Sequence, residues 1–263
     1  MSEQPIQEYD DNLMTLLETL WGEGFMSPGG VDEVDRYLAG VSLERLRVLD
    51  IGCGLGGVDI HLVKKHGAAQ VTGIDVDQAL IDRCDLLAKK EQVTAQIKFI
   101  CVEPGPLPFG NRSFDIVTSK DSIIHIPDKH ELAVDVYRLL ESGGWFVASD
   151  WLAGYENEPS PEMQQYLVAE GLDFGLASAA TYLEALGNAG FSDISIVDRN
   201  DWYRQQARQE REQLGGILYN GLASKVGTDF LEHEFEVWDK MIVALDQGQL
   251  RPTHLRGRRP DST

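Results

Sequence analysis

Basic residues are scarce in this chain, where 23 Lys and Arg stand against 43 Asp and Glu for a formal charge of −20. A phosphate backbone needs a basic footprint, so this balance argues against a nucleic-acid partner. It fits a solvated acidic surface, and an acidic pocket for cationic amines is the sharper alternative. Cysteine is scarcer still. Cys53, Cys84 and Cys101 are an odd number without metal-ligand spacing, and they read as reduced thiols rather than a disulfide framework. No apolar run reaches bilayer-spanning length and no basic-then-apolar leader follows Met1, so the expectation is a cytoplasmic chain without a membrane partner. Internal repeats and long low-complexity linkers are also missing, and no feature fixes an oligomeric state. With 43% hydrophobic and 25% charged residues, 263 residues suffice for one α/β domain with an added lobe.

What the chain does have is a cluster of glycines. Val48-Leu49-Asp50-Ile51-Gly52-Cys53-Gly54-Leu55-Gly56-Gly57 reads as an apolar strand running into a bare-backbone turn, followed by a helix and a second strand ending at Asp75. Glycines allow the sharp turn and let a ligand lie against backbone, while the acid can accept two ribose hydroxyls. The pattern predicts a nucleoside-binding βαβ unit.

Around it the periodicity alternates. Residues 9–20 place Leu13, Leu16, Leu17 and Leu20 on one helical face, a helix that either patches the sheet edge or serves as a lid. After the break at Ser27-Pro28-Gly29-Gly30, helices are expected over 31–38, 58–66, 77–91 and 128–140, and strands over 47–51, 70–74, 97–102, 114–119 and 145–151. This order implies an α/β, doubly wound, mostly parallel seven-stranded sheet, with residues 1–30 as lid and 31–263 as the main domain. Ligands in such sheets sit beyond the carboxyl ends of the strands, which collects Gly52, Asp75, Glu103, Asp121 and Trp151 on one edge. From about 154 to 250 the pattern turns helical, with one late strand at 191–197, and this region is expected to face substrate. The Arg256-Gly257-Arg258-Arg259 tail reads as a solvated, frayed end.

Two nucleoside cofactors use such a turn. Asp50, just before the glycines, would crowd a dinucleotide's pyrophosphate but suits the cationic methionine end of S-adenosyl-L-methionine, and Glu103 offers an acceptor for an adenine amino group. A nicotinamide oxidoreductase and a non-catalytic cofactor-binding protein remain the competing classes. Two further motifs, Gly22-Glu23-Gly24-Phe25-Met26-Ser27-Pro28-Gly29-Gly30 and Ser119-Lys120-Asp121-Ser122-Ile123-Ile124-His125, extend the pattern. With them the chain resembles the class I S-adenosylmethionine-dependent methyltransferases, and within these the phosphoethanolamine and sarcosine/dimethylglycine N-methyltransferases. The resemblance implies that Met26, Ser27, Gly52, Gly54 and Lys120 line the cofactor, Asp75 takes the ribose, and Val76 packs on adenine. It implies further that His125 is the catalytic base with Tyr9 as its partner, and that Asp121 holds the amine. Trp151 and Tyr166 fall in the substrate region, where Glu170 stands in place of the family's arginine and Leu172 in place of a tyrosine. An acid facing phosphate is repulsive, so a small unphosphorylated amine of the sarcosine or dimethylglycine type is expected. A phosphoethanolamine-type acceptor, or an O- or C-methylated natural product, is the alternative. A substrate carboxylate would need a cation, for which Arg199, Arg204, Arg208 and Lys240 are candidates.

Each residue also has a structural reading: His125 as a cap for the following helix, Asp121 as a strand-end cap, Tyr9 as an edge packer. His125, Asp128 and His130 lack a third well-spaced ligand, and no metal is expected there.

Overall fold

A computed structural model describes residues 10–172 and 174–262, so Tyr9 lies outside the described residues. Asp10 accepts from Leu13 N at 2.8 Å and caps α1 (Asp11–Trp21), whose Met14, Leu16 and Leu17 are buried. After α2 (Gly30–Tyr37), the units β1 (Arg47–Ile51), α3 (Gly57–Lys64), β2 (Gln70–Asp75), α4 (Gln78–Lys90) and β3 (Ile97–Cys101) form the first parallel half. Then come β4 (Phe114–Lys120), a short 3₁₀ turn at Ile123–His125, α5 (Lys129–Leu139) and β5 (Leu140–Ala153). The last third holds α6 (Pro161–Glu170), α7 (Ala179–Ala189), β6 (Ser192–Asp198), α8 (Asn200–Gly215), α9 (Tyr219–Val226), α10 (Thr228–Asp246) and β7 (Leu250–Arg258).

The strands make one seven-stranded sheet in the order β3-β2-β1-β4-β5-β7-β6, with β7 antiparallel to both neighbours. Period-two alternation sends side chains to two cores. Val48, Ile116 and Val147 pack on one face with Tyr37 and Leu62, while Leu49, Val117 and Phe146 pack on the other with Val136 and Leu139. A third core lies in the helical lobe, where Leu16 and Leu17 of α1 join Met163, Tyr166, Tyr203 and Trp238. Glu210 ties the lobe together, accepting from Trp21 Nε1 at 2.7 Å and Tyr203 Oη at 3.1 Å.

Two expectations need correction. The arginine tail is not frayed: it belongs to β7, seated between β5 and β6. Its basic groups are consumed as donors to carbonyls, Arg256 to Ala39 O at 3.2 Å and, just beyond the strand, Arg259 to Tyr137 O at 2.7 Å. The fifth strand starts earlier than residue 145, because Leu140 already pairs with Phe114 across a register shift. The region expected to be helical over about 154–250 holds α9 among its helices. Among the described residues no helix is long and apolar enough to cross a membrane.

Candidate functional site

The carboxyl ends of β1, β2 and β4 meet at the glycine turn. Gly52 N and Cys53 N donate to Ile74 O at 2.8 and 2.9 Å, and Gly54 N donates to Asp75 Oδ2 at 2.9 Å. Gly52 is glycine for two reasons: its φ is +73°, and a Cβ there would fall 1.8 Å from Ser122 Oγ. The segment 22–30 closes over this turn, with Gly57 N donating to Gly24 O at 3.0 Å. Met26 comes with it, its sulfur 3.0 Å from where a Cβ on Gly54 would lie.

Asp75 ends β2 with its other oxygen accepting from Asp77 N at 3.1 Å; burial raises its pKa, and those backbone donors offset part of the rise. Val76 beside it is 59% exposed, and Glu103 is exposed just past β3, so both stand on the open rim. Asp50 sits differently. It is 1% exposed and lies against Asp59 beneath the turn, where burial drives both carboxyls upward, Asp59 to about 8. Asp50 Oδ1 and both Asp59 oxygens receive no donor from other described residues, and the two carboxyls face each other, an arrangement in which this pair retains a proton between them.

At the end of β4, Lys120 is 6% exposed and its Nζ reaches Ser27 Oγ at 2.6 Å, Pro28 O at 2.9 Å and Asp121 Oδ2 at 2.9 Å. One ammonium thus fastens the covering segment to the strand end. Asp121 is held at φ +57°, an uncommon backbone for a non-glycine residue, with Ser149 Oγ donating to its Oδ1 at 2.8 Å. Four residues on, His125 rides the 3₁₀ turn, its ring 5.4 Å from that of Phe174.

That turn is clamped from inside the protein. Lys129 Nζ donates to Ile123 O at 2.7 Å and also to Ile126 O, while Ile124 N donates to Asp150 Oδ1 at 3.0 Å and Tyr182 Oη to Asp150 Oδ2 at 2.6 Å. Burial lowers Lys129 to about 8 and raises Asp150 to about 7. Sequence reasoning missed Lys129, Asp150, Tyr182 and Ser149; only the polarity of Asp150 inside an otherwise apolar strand hinted at them.

The helical lobe forms the far wall. Trp151 meets Tyr203 edge-on at 5.0 Å, and both line a crevice with Asp121, Ser149 and Trp202. Tyr166 is 4% exposed and contacts Glu170, whose carboxyl burial raises to about 7. Across from it on α10, Glu234 is 7% exposed and reaches about 8, through burial first and then the charges of Glu170 and Asp10. The cations nominated for a substrate carboxylate are already paired: Arg199 with Glu33 at 2.8 Å, Arg204 with Asp246 at 2.9 Å, Arg208 with the same Asp246, and Lys240 with Glu236. Burial raises Glu33, yet His254 and Arg199 outweigh it and bring the carboxyl down to about 2.

The edge therefore unites Met26, Ser27, Gly52, Gly54, Asp75, Lys120, Asp121 and His125, with Trp151 and Tyr166 on the lobe side. Residues 49–148 match the family model of a methyltransferase domain. The chain carries a methyltransferase domain. It is 29% identical over 208 residues to phosphoethanolamine N-methyltransferase 1 of Arabidopsis thaliana, an alignment covering 79% of this chain and 41% of that protein. Among solved structures, phosphoethanolamine N-methyltransferase 2 of Haemonchus contortus, in complex with phosphomonomethylethanolamine and S-adenosylhomocysteine, superposes with a TM-score of 0.88 at 24% identity. That superposition covers 97% of this chain and 59% of the other. A Galdieria sulphuraria protein assigned as a sarcosine dimethylglycine methyltransferase gives 0.81 at 18% identity, covering 97% of this chain and 99% of its own. These likenesses establish the class I fold of the methyltransferase domain. The chain spans about two fifths of the length of the plant relative.

Proposed function

We propose that the methyltransferase domain N-methylates a small amine with S-adenosylmethionine as donor, His125 taking up the proton released by the attacking nitrogen. The observation that carries the reading is the shared edge: the glycine turn and Asp75 form a nucleoside floor, and the Asp121–His125 segment overhangs it from β4. The residues suit this cofactor. Positive φ at Gly52 and Gly54 lets the turn fold tightly against the strand ends, and Asp75 presents a carboxylate there.

When bound, S-adenosylmethionine supplies an activated methyl group. The chain's own residues position and deprotonate the acceptor. Asp121 fixes the ammonium side of the amine, with Lys120 and Ser149 holding its carboxylate in place. An imidazole nitrogen is a ready proton acceptor, and His125 supplies one on the 3₁₀ turn. Tyr9, outside the described residues, is assigned as its partner from the resemblance alone.

For the acceptor, the relatives place phosphoethanolamine first among compounds to test. One observation favours a second class: Glu170 and Glu234 bring two acids, Arg199 in the crevice wall is paired with Glu33 beside it, and Arg204, Arg208 and Lys240 are paired with acids of their own. An unphosphorylated amine meets less repulsion there than a phosphate does. The test is a mass-resolved screen of phosphoethanolamine, ethanolamine, sarcosine, dimethylglycine and simple diamines with S-adenosylmethionine. A methylated amine from the wild type, and at least a hundredfold slower turnover from His125→Ala at unchanged cofactor affinity, is the expected result. Cofactor binding without turnover on any amine, or full turnover by His125→Ala, refutes the assignment.

A further inference from the structure

At the end of α3 remote from the glycine turn, two histidines converge on one carboxylate oxygen. His61 Nε2 lies 2.7 Å and His66 Nε2 2.8 Å from Asp35 Oδ1, and the three atoms all lie within 4.8 Å of one another. Asp35 comes from α2, His61 from the last turn of α3, and His66 from the chain just past it. Their side chains are 40%, 14% and 20% exposed, so the cluster is reachable from solvent without being loose.

The geometry points to a divalent transition-metal site formed by Asp35, His61 and His66, of the kind that accepts zinc, nickel or cobalt. Donor chemistry selects the class, because imidazole nitrogens suit these ions, whereas magnesium and calcium demand oxygen. Spacing agrees. Ligands about 2.0–2.1 Å from one ion are about 2.9 Å apart at right angles and about 3.3 Å apart in a tetrahedron, so an ion enters once the donors part by a few tenths of an ångström from their hydrogen-bonded 2.7 and 2.8 Å. The three donors would occupy one face of the ion and leave water on the other. Each imidazole would ligate through Nε2 as the neutral tautomer that carries its proton on Nδ1. Among the described residues neither Nδ1 has a protein partner, and ligating histidines without such support bind more weakly, so affinity in the micromolar range is expected.

The ion would pin the far ends of α2 and α3, the helices that follow the covering segment and the glycine turn. The site is independent of the acceptor and of the proposed chemistry. Its test is titration of the untagged protein with zinc by calorimetry and with cobalt by visible absorption. The expected result is one equivalent bound, a cobalt d–d spectrum, and a melting temperature raised by zinc. His61→Ala and His66→Gln each weaken binding at least tenfold and remove the thermal shift, while His233→Ala, on α10, binds as the wild type does. Absence of binding in the wild type overturns the site, as does binding unchanged in His61→Ala and His66→Gln variants whose circular dichroism matches the wild type. His66→Gln, at a partly exposed side chain beyond the helix, keeps the test open where His61→Ala fails to fold.

Discussion

The two walls of the cleft are built on opposite principles. On the side of the glycine turn, backbone N–H groups tie neighbouring strand ends together, Gly54 N to Asp75, while Lys120 reaches its neighbour Asp121 and, across the fold, Ser27. On the lobe side, large side chains from α1, α6, α8 and α10 pack together and carry acids inward with them. One of these, Glu210, is well supplied with donors, from Trp21, Tyr203 and Gln206. Among the described residues Glu170 has Tyr166 beside it, and no such set of donors surrounds Glu234. The contrast separates a wall that must accept one invariant ligand from a wall free to vary with the acceptor.

The most damaging change removes the strand that joins the two halves. Deleting residues 250–263 strips β7 from between β5 and β6 and leaves two unpaired strand edges, so no cooperatively folded protein is expected by calorimetric melting. A more local break is Gly52→Ala. The new Cβ meets Ser122 Oγ and the backbone is left-handed, so S-adenosylhomocysteine affinity should fall at least tenfold in calorimetry. Gly52→Ala combined with Ser122→Gly relieves the contact and not the backbone cost of about 1–2 kcal/mol, and should recover binding only in part.

Lys129→Met acts at the seam between the walls. It frees the Ile123 and Ile126 carbonyls of the His125 turn and removes the positive charge that partly offsets the burial of Asp150, which should lower stability by about 1–3 kcal/mol. In protein that remains folded, kcat should fall more than tenfold while S-adenosylhomocysteine affinity stays near wild type. Equal losses in both would mean the clamp merely supports the fold.

The cofactor wall was legible in the sequence because its constraints are local. Positive φ at Gly52, Gly54 and Gly56 demands glycine within five residues, and alternation along β1 and β4 announces two buried faces. The lobe was not, because its key relations are long-range: Glu170 finds Glu234, and Lys129 finds Asp150, only once helices and strands have packed. The arginines at the end of β7 misled for the same reason. A short basic run looks solvated until the carbonyls it donates to are brought beside it. Asp35, His61 and His66 carry no recognisable spacing either, since the first sits on a different helix from the second.

Glu234→Gln sharpens the comparison with the smallest effect. Glu234 has a folded pKa of about 8 against a usual value of 4.5. Between those values the native carboxyl keeps a proton that the unfolded chain has released, so its contribution is intact below about 4.5 and is lost as pH rises through 8. Glutamine removes that titration. The variant should therefore melt about 2–4 °C above wild type at pH 8, with the two curves converging toward pH 5. A cationic acceptor relieves the same charge by pairing with it. The wild type should then gain more thermal protection from such an amine at pH 8 than at pH 6, and Glu234→Gln should lose that difference while its KM for the amine rises. If the variant instead leaves both the pH slope and the amine's KM untouched, the lobe wall does not read charge, and the contrast between the two walls reduces to shape.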